Sequence, residues 1–308
     1  MTGAKATDAA AQREVIQVGL VGVGSMGLGL AQRLLDCGHA LGVRDLVAER
    51  ERAARAHGAT VCADAAAAAQ GRDLLIVAVV DALQTEQVLF GERGAVHGLA
   101  PGSTVLLCPT LAPQTVEDCA ARLDERGIAC IDAPMSGGPA RARDGSMSLM
   151  VACADVVFER WQSLLRELSS RLFRIGTAPG DGARTKLVNN LLAAINLAGA
   201  AEALALAQQL GLDPAATLAV IEQSSGQSWI GSDRLRRALA ADPAVHARVA
   251  LLAKDSGLAL GMAAGAGLRP RLGQAAAEFF ARACDEGLAD HDDAALWPWR
   301  AEAGRLRR

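Results

Sequence analysis

Two polar side chains stand four residues apart in an otherwise apolar stretch of the chain. Lys186 and Asn190 lie between residues 181 and 211, a segment without proline that is rich in Ala and Leu. Residues four apart share one face of a helix, so the amine and the amide would project together. A buried ammonium is costly unless it is paired or used. Lys186 is therefore either a proton donor and acceptor in a cleft or a helix-end cation that reaches water.

Composition favours the catalytic interpretation of Lys186. Only three of the 31 basic side chains are lysine, namely Lys5, Lys186 and Lys254. The chain uses arginine wherever a permanent cation suffices, and arginine cannot lose its proton near neutral pH. The chain has no tyrosine, which excludes the Tyr–Lys catalytic pair of short-chain dehydrogenases.

The element that must position Lys186 is predicted to be one long helix over residues 183–210. About 28 residues at ~1.5 Å each span roughly 42 Å. Its apolar residues lie almost all round, so we expect it to be buried as a connection between two domains. It is not expected to span a membrane, because four polar residues interrupt it: Asn189, Asn190, Asn196 and Glu202.

A phosphate-binding loop is predicted near the N-terminus. The apolar run 15–21 precedes a glycine-rich turn, and a helix-like run, 28–37, follows it. In this order the GxGxxG pattern predicts a dinucleotide site, since the glycines allow a tight turn, close approach of a pyrophosphate and close helix packing. A glycine-rich turn without a ligand is the alternative. The turn consists of Gly22, Val23, Gly24, Ser25, Met26 and Gly27.

Asp45 is the candidate for selecting the dinucleotide. It follows the predicted strand 40–44 and lies 18 residues after Gly27. An acid there can accept hydrogen bonds from the ribose hydroxyls of NAD and repel the 2′-phosphate of NADP. The alternative role is that of a helix N-cap. The sequence predicts NAD, and the neighbouring Arg44 leaves NADP possible.

The rest of the chain divides into a sheet half and a helical half. Apolar runs alternating with helical segments predict an α/β fold, a Rossmann-type doubly wound parallel sheet, over residues 15–179. Residues 180–308 read as helical throughout and predict an all-α domain that begins with the long helix. Residues 1–14 lack the apolar core of a signal peptide and are expected to form a flexible tail. The further strands are predicted at 60–62, 73–80, 103–108, 128–131, 148–152 and 172–175.

Charge and cysteine content exclude several classes of function. A net charge of -3 offers no basic surface for nucleic acid or an anionic membrane. The seven cysteines form no CxxC pair and no Cys/His cluster, so no metal site is predicted. Their odd, scattered arrangement indicates reduced thiols and a cytoplasmic location.

Four motifs in one order resemble the β-hydroxyacid dehydrogenase family, over about residues 15–295. This family includes 3-hydroxyisobutyrate dehydrogenase, tartronate semialdehyde reductase and L-threonate dehydrogenase and, more distantly, 6-phosphogluconate dehydrogenase. The stretch 79–95 looks closest to the L-threonate dehydrogenase branch, and SSGQSW at 224–229 is similar to 3-hydroxyisobutyrate dehydrogenases. The motifs are GVGSMG at 22–27, DAPMSGG at 132–138, GDGARTKLVNN at 180–190 and the pair Lys254–Asp255.

The resemblance implies a role for each motif. It makes Lys186 the general acid/base and Asn190 the residue that orients a small carboxylate substrate. The substrate carboxylate would bind where Gly-Gly lets backbone amides converge, although an ordinary turn would read much the same. Substrate contacts are implied for Ser136, Gly137, Gly138, Lys254 and Trp229. Cofactor contacts are implied for Val79, Val80, Gln84, Thr110 and Lys254.

Two other functions and an assembly follow from the same features. An imine reductase could use this scaffold, but such enzymes usually lack the lysine. A non-catalytic dinucleotide-binding protein would need neither Lys186 nor the loop at 136–138.

Because the long helix would otherwise expose apolar faces, we expect a homodimer or homotetramer formed mainly through residues 183–308.

Overall fold

The computed structural model describes residues 15–303, so the predicted tail at 1–14 lies outside it. The first half of the described chain contains nine strands that form one sheet. The strands are β1 (Gln17–Val21), β2 (Ala40–Arg44), β3 (Thr60–Val61), β4 (Leu74–Val77), β5 (Thr104–Leu107), β6 (Ala129–Asp132), β7 (Met135–Ser136), β8 (Ser148–Ala152) and β9 (Arg171–Gly176).

The sheet is doubly wound, as predicted. Its order is β3-β2-β1-β4-β5-β6-β8-β7, with β9 paired to β8. The strands from β1 to β6 are parallel, whereas β8 runs antiparallel to both β6 and β7. All four residues of β4 are buried, because helices cover both faces of a parallel sheet. These helices are α1 (Ser25–Asp36), α2 (Ala48–Ala56), α3 (Ala65–Ala69), α4 (Ala82–Phe90), α5 (Pro113–Asp124), α6 (Gly138–Asp144) and α7 (Asp155–Leu168).

The second half is helical, also as predicted. Its core lies between the middle of the long helix and the last helices, where Leu197, Phe280 and Leu296 are buried together. A π-helical turn at Cys284–Leu288 directly follows the helix Arg271–Ala283. The helices are α8 (Asp181–Gln209), α9 (Pro214–Glu222), α10 (Trp229–Leu239), α11 (Val249–Gly265), α12 (Arg271–Ala283) and α13 (Leu296–Ala303).

The helix α8 is not buried all round, so that expectation is wrong for the single chain. Leu197 and Leu204 are buried, whereas Val188, Leu192 and Leu206 are 61%, 59% and 57% exposed. The reason is geometric, since α10 to α13 pack against part of the circumference of α8 and leave the rest open. Among the described residues, α8 is the one helix long and apolar enough to cross a membrane. This statement rests on its length and composition only.

Candidate active site

The turn between β1 and α1 forms a cradle that depends on glycine. Gly22 has a φ of 96°, and a Cβ on Gly27 would lie 1.9 Å from the carbonyl oxygen of Gly22. A Cβ on Gly24 would meet no neighbouring atom, which leaves room for a ligand beside the backbone. No side chain caps the N-terminus of α1, so the first amides, from Ser25 and Met26 onwards, remain donors for an anion. The cradle therefore fits a pyrophosphate.

Asp45 lies at the end of β2, next to this cradle. Its carboxylate accepts a hydrogen bond of 2.6 Å from the backbone amide of Val23. It is not the N-cap of α2, because Val47 occupies that position. The neighbouring Arg44 is paired with Glu51 at 2.8 Å. An acidic group therefore stands beside the glycine cradle, and the adjacent arginine already has a carboxylate partner.

Four further residues lie at the carboxyl ends of β4 and β5, the edge where open α/β sheets bind ligands. Val79, Val80 and Gln84 follow β4, and the amide of Val80 donates to Gln84 Oε1 over 3.1 Å. This edge adjoins the glycine cradle, since a Cβ on Gly22 would meet the carbonyl oxygen of Ala78 at 2.6 Å. Thr110 follows β5, and its backbone oxygen accepts a hydrogen bond from Lys254 in the helical half of the molecule.

Lys186 is buried near the start of α8, with 8% of its surface exposed. Burial lowers the pKa of its ammonium from 10.5 to about 8, the Asp255 carboxylate raises it, and the Lys254 ammonium lowers it. The shift has the direction that burial of a cation predicts. An amine with a pKa near neutrality can both take and give a proton under physiological conditions.

Asp255, on α11, joins residues that are far apart in the sequence. Its Oδ2 accepts a hydrogen bond of 2.7 Å from Asn190 Nδ2, and its Oδ1 lies 2.8 Å from Lys254 Nζ. Lys254 donates a hydrogen bond to the backbone oxygen of Thr110 over 2.8 Å. The helical half and the carboxyl ends of the parallel strands thus meet beside Lys186, whose pKa responds to both Asp255 and Lys254. Sequence reasoning gave Asp255 no role, although a Lys-Asp pair within an apolar helix was the available signal.

Asp132 is a second residue whose role the sequence did not reveal. It ends β6, is 1% exposed, and accepts hydrogen bonds from the amides of Gly180 and Ala183 at 2.8 and 2.9 Å. Burial raises the pKa of this carboxyl from 3.8 to about 6, against the effect of those bonds. No side chain of its own caps α8 at its N-terminus. Asp132 therefore anchors to the sheet the helix that carries Lys186.

The loop of Ser136, Gly137 and Gly138 follows a few residues later. The turn predicted here contains the short strand β7, in which Ser136 pairs with Ser148 of β8. Gly137 and Gly138 have φ values of 131° and 83°, which favour glycine because other residues rarely adopt them. A Cβ on Gly138 would meet no neighbouring atom, so the backbone is open to a ligand at this point.

Trp229 is the first residue of α10 rather than part of a loop, with Ser228 as its N-cap. The residue is 47% exposed, and the centroid of its ring lies 4.9 Å from the Arg141 guanidinium carbon. Arg141 comes three residues after Gly138, so the structure places Trp229 close to the 136–138 loop. Within residues 15–303, no group of three or more His, Cys, Asp and Glu side chains could hold a metal ion.

Comparison with known proteins agrees with this layout. Residues 17–176 match the NAD binding domain of 6-phosphogluconate dehydrogenase. Residues 180–299 match the NAD-binding region of NADP-dependent 3-hydroxyisobutyrate dehydrogenase. An L-threonate dehydrogenase of Cupriavidus necator is 36% identical over 282 residues, which cover 91% of this chain and 94% of that protein.

Solved structures give the same result. A 3-hydroxyisobutyrate dehydrogenase from Salmonella typhimurium is 32% identical, with a TM-score of 0.86 over 92% of this chain and 99% of the other. An imine reductase from a Pseudomonas species is 21% identical, with a TM-score of 0.63 over 92% and 99% of the two chains. At that identity the imine reductase shares the fold alone.

Proposed function

Because this chain belongs to the β-hydroxyacid dehydrogenase family of NAD(P)-dependent oxidoreductases, we propose that it oxidises the carbinol carbon of a short hydroxy acid. L-Threonate is the first candidate substrate, since L-threonate dehydrogenases align with almost the whole chain. The alternatives in the same class are 3-hydroxyisobutyrate and the tartronate semialdehyde/glycerate pair. The observation that carries the proposal is the buried Lys186 with its lowered pKa beside the Asn190–Asp255–Lys254 network.

The residues at the sheet edge fit the cofactor. The cradle at 22–27 would hold the pyrophosphate, Asp45 the adenosine ribose, and the ends of β4 and β5 the nicotinamide half. When bound, the nicotinamide takes up the hydride in oxidation and returns it in reduction. We expect NAD rather than NADP, because the Asp45 carboxylate would repel a 2′-phosphate and Arg44 is held by Glu51.

Lys186 would carry the proton. In oxidation its neutral amine takes the proton of the substrate hydroxyl, and in reduction its ammonium returns a proton to the forming alkoxide. A pKa of about 8 leaves both forms populated near neutral pH. Asn190, which Asp255 holds in place, would orient the hydroxyl without adding charge.

The Ser136–Gly138 loop would bind the carboxylate end of the substrate. Fixing this end determines where the carbinol carbon lies relative to Lys186, so the reaction gains from orientation. Lys254 would contact both substrate and cofactor, because it already connects Asp255 with the Thr110 carbonyl. Trp229, which lies close to the 136–138 loop, would contact the substrate and exclude water.

We also propose that the protein is a homodimer or homotetramer in which a second copy covers α8. The exposed residues Val188 and Leu206 are 18 positions apart, about five helical turns, and Leu192 lies one turn from Val188. They therefore lie on one side of α8, where Glu202 is also exposed. All seven cysteines lie in the described residues and are unpaired, which supports our inference of a reducing, cytoplasmic location.

A substrate panel tests the proposed activity. Purified protein with NAD is mixed with L-threonate, 3-hydroxyisobutyrate or glycerate, and NADH formation is followed by absorbance. We expect turnover of at least one acid, with the highest kcat/KM for L-threonate. Reduction of a cyclic imine with NADPH, without turnover of any acid, would contradict the proposal and favour the imine reductase alternative.

A further inference from the structure

Arg141 is a half-buried residue at the candidate site to which the proposed function assigns no role. It lies in α6, just after the 136–138 loop. A Cβ built on Gly137 would come within 2.9 Å of Arg141 Cδ, so the aliphatic part of the side chain lies directly against the loop. Its guanidinium carbon lies 4.9 Å from the centroid of the Trp229 ring. Arg141 therefore extends from the loop in the sheet half to the first residue of α10.

Among residues 15–303, no carboxylate forms an ion pair or hydrogen bond with the guanidinium of Arg141. Asp144, on the same helix, accepts a hydrogen bond from the amide of Ser146, and its pKa is lowered mainly by Ser146 and to a smaller extent by the charge of Arg141. The other arginine over the same ring, Arg234, is paired with Asp293 at 2.9 Å. Cations removed from water usually acquire an anionic partner. Arg234 has one, whereas Arg141 has no ion-pair partner in the described part of the chain.

Stacking on an aromatic ring suits a guanidinium that binds an anion. The ring attracts the cation and fixes the plane of the guanidinium, while the N–H donors at its edge remain free. A planar fork of donors matches the two oxygens of a carboxylate. The neighbouring loop offers only a hydroxyl and backbone amides, which orient a carboxylate but carry no charge.

We propose that Arg141 is a specificity-determining residue whose guanidinium binds the carboxylate of the hydroxy acid held at the Ser136–Gly138 loop. This role of Arg141 rests on the proposed function, because it names the group that selects acids within that substrate class. An acid would then bind between the loop amides and the guanidinium, and Trp229 would hold the guanidinium in place. Neutral polyols and amides of the same shape would lack this contact.

Binding measurements without turnover test the role of Arg141. L-Threonate and 3-hydroxyisobutyrate are titrated by calorimetry into protein saturated with NADH, where both partners are reduced and no hydride transfer can occur. We expect Arg141→Gln to weaken acid binding about 10- to 100-fold, the range for losing a hydrogen bond to a charged group. Arg141→Lys should fall between wild type and Arg141→Gln, since it keeps the charge without the planar fork.

Two comparisons separate recognition of charge from a structural effect. Arg143→Gln is the matched control, because Arg143 is exposed on the same helix and should leave acid affinity unchanged. L-Threonamide, the neutral analogue, should bind wild type and Arg141→Gln alike, as should NADH. A distorted loop would weaken the amide as well as the acid.

Several results would overturn the role of Arg141. They are wild-type acid affinity in Arg141→Gln, equal losses for acid and amide, or failure of both acids to bind the wild type. Failure of the proposed function looks different. In that case the wild type binds L-threonate in an Arg141-dependent way and yet turns over none of the acids with NAD.

Discussion

Replacing Asp255 with asparagine separates positioning from proton transfer in this site. The carboxylate bonds to Asn190 at 2.7 Å and lies 2.8 Å from the Lys254 ammonium. Asparagine keeps the shape and removes the charge. Losing one hydrogen bond to a charged group costs about 1.5–3 kcal/mol, or roughly 10- to 100-fold in kcat/KM. We expect a loss of this order for oxidation above pH 8.

The same substitution should lower the pKa of Lys186. The Asp255 carboxylate raises this pKa against the effect of burial, so without it the pKa falls below about 8. With a pKa of about 8, roughly a tenth of Lys186 is neutral at about pH 7. A lower pKa enlarges the neutral fraction there and partly offsets the loss of positioning. The defect in oxidation should therefore be smaller at pH 7 than at pH 9.

The assay is kcat/KM for oxidation against pH in wild type, Asp255→Asn and Asp285→Asn. Asp285 is an exposed aspartate in the π-helical turn and serves as the matched control. The acid limb of the profile should move to lower pH in Asp255→Asn and stay in place in the control. An unmoved limb, or an equal loss at every pH, would refute the role of Asp255 in setting the charge of Lys186.

Three further perturbations address the cofactor, the assembly and the anchoring of α8. Wild type should show a higher kcat/KM with NAD than with NADP, and Asp45→Asn should narrow the difference by reducing repulsion of the 2′-phosphate; a wild-type preference for NADP would implicate Arg44 instead. Light scattering should report a dimer or tetramer at micromolar concentration, with Leu192→Glu shifting it toward monomers, and a monomeric wild type would contradict this assembly. In urea unfolding, the free energy of unfolding of the wild type relative to that of Asp132→Asn should fall as pH rises from 3.8 to about 6. The reason is that Asp132 keeps its proton in the folded state over this range and loses it in the unfolded state. A difference that does not change with pH would contradict this prediction.

The sheet half could be predicted from sequence almost element by element. The strand at 40–44 and the strand at 148–152 have the predicted bounds. Their signals are local, because an apolar run bounded by polar residues or glycine determines each of them. The strand β7 was missed because two residues are too short to show an alternating pattern.

The candidate site could be predicted only in part. Lys186 and Asn190 were recognisable because polar residues inside an apolar helix are conspicuous. The bond between Asn190 and Asp255 joins positions 65 apart, and the bond between Ala183 and Asp132 joins positions 51 apart. No local pattern encodes such contacts, which depend on how the helices pack onto the sheet. Which side of α8 is open could not be predicted for the same reason, since burial is a property of neighbours.

The measurement that tests the central claim most directly is the turnover of Lys186→Ala on the best acid of the panel, together with its affinity for NADH. Losing a general acid/base lowers kcat by ~10²–10⁴, and Lys186→Arg should do the same, because arginine keeps its proton. NADH affinity should not change, since the glycine cradle lies in the sheet half. Lys254→Ala should raise KM as well as lower kcat, which distinguishes binding from proton transfer. If Lys186→Ala kept more than about a tenth of the wild-type kcat, Lys186 would be structural and the proton-transfer mechanism would be contradicted.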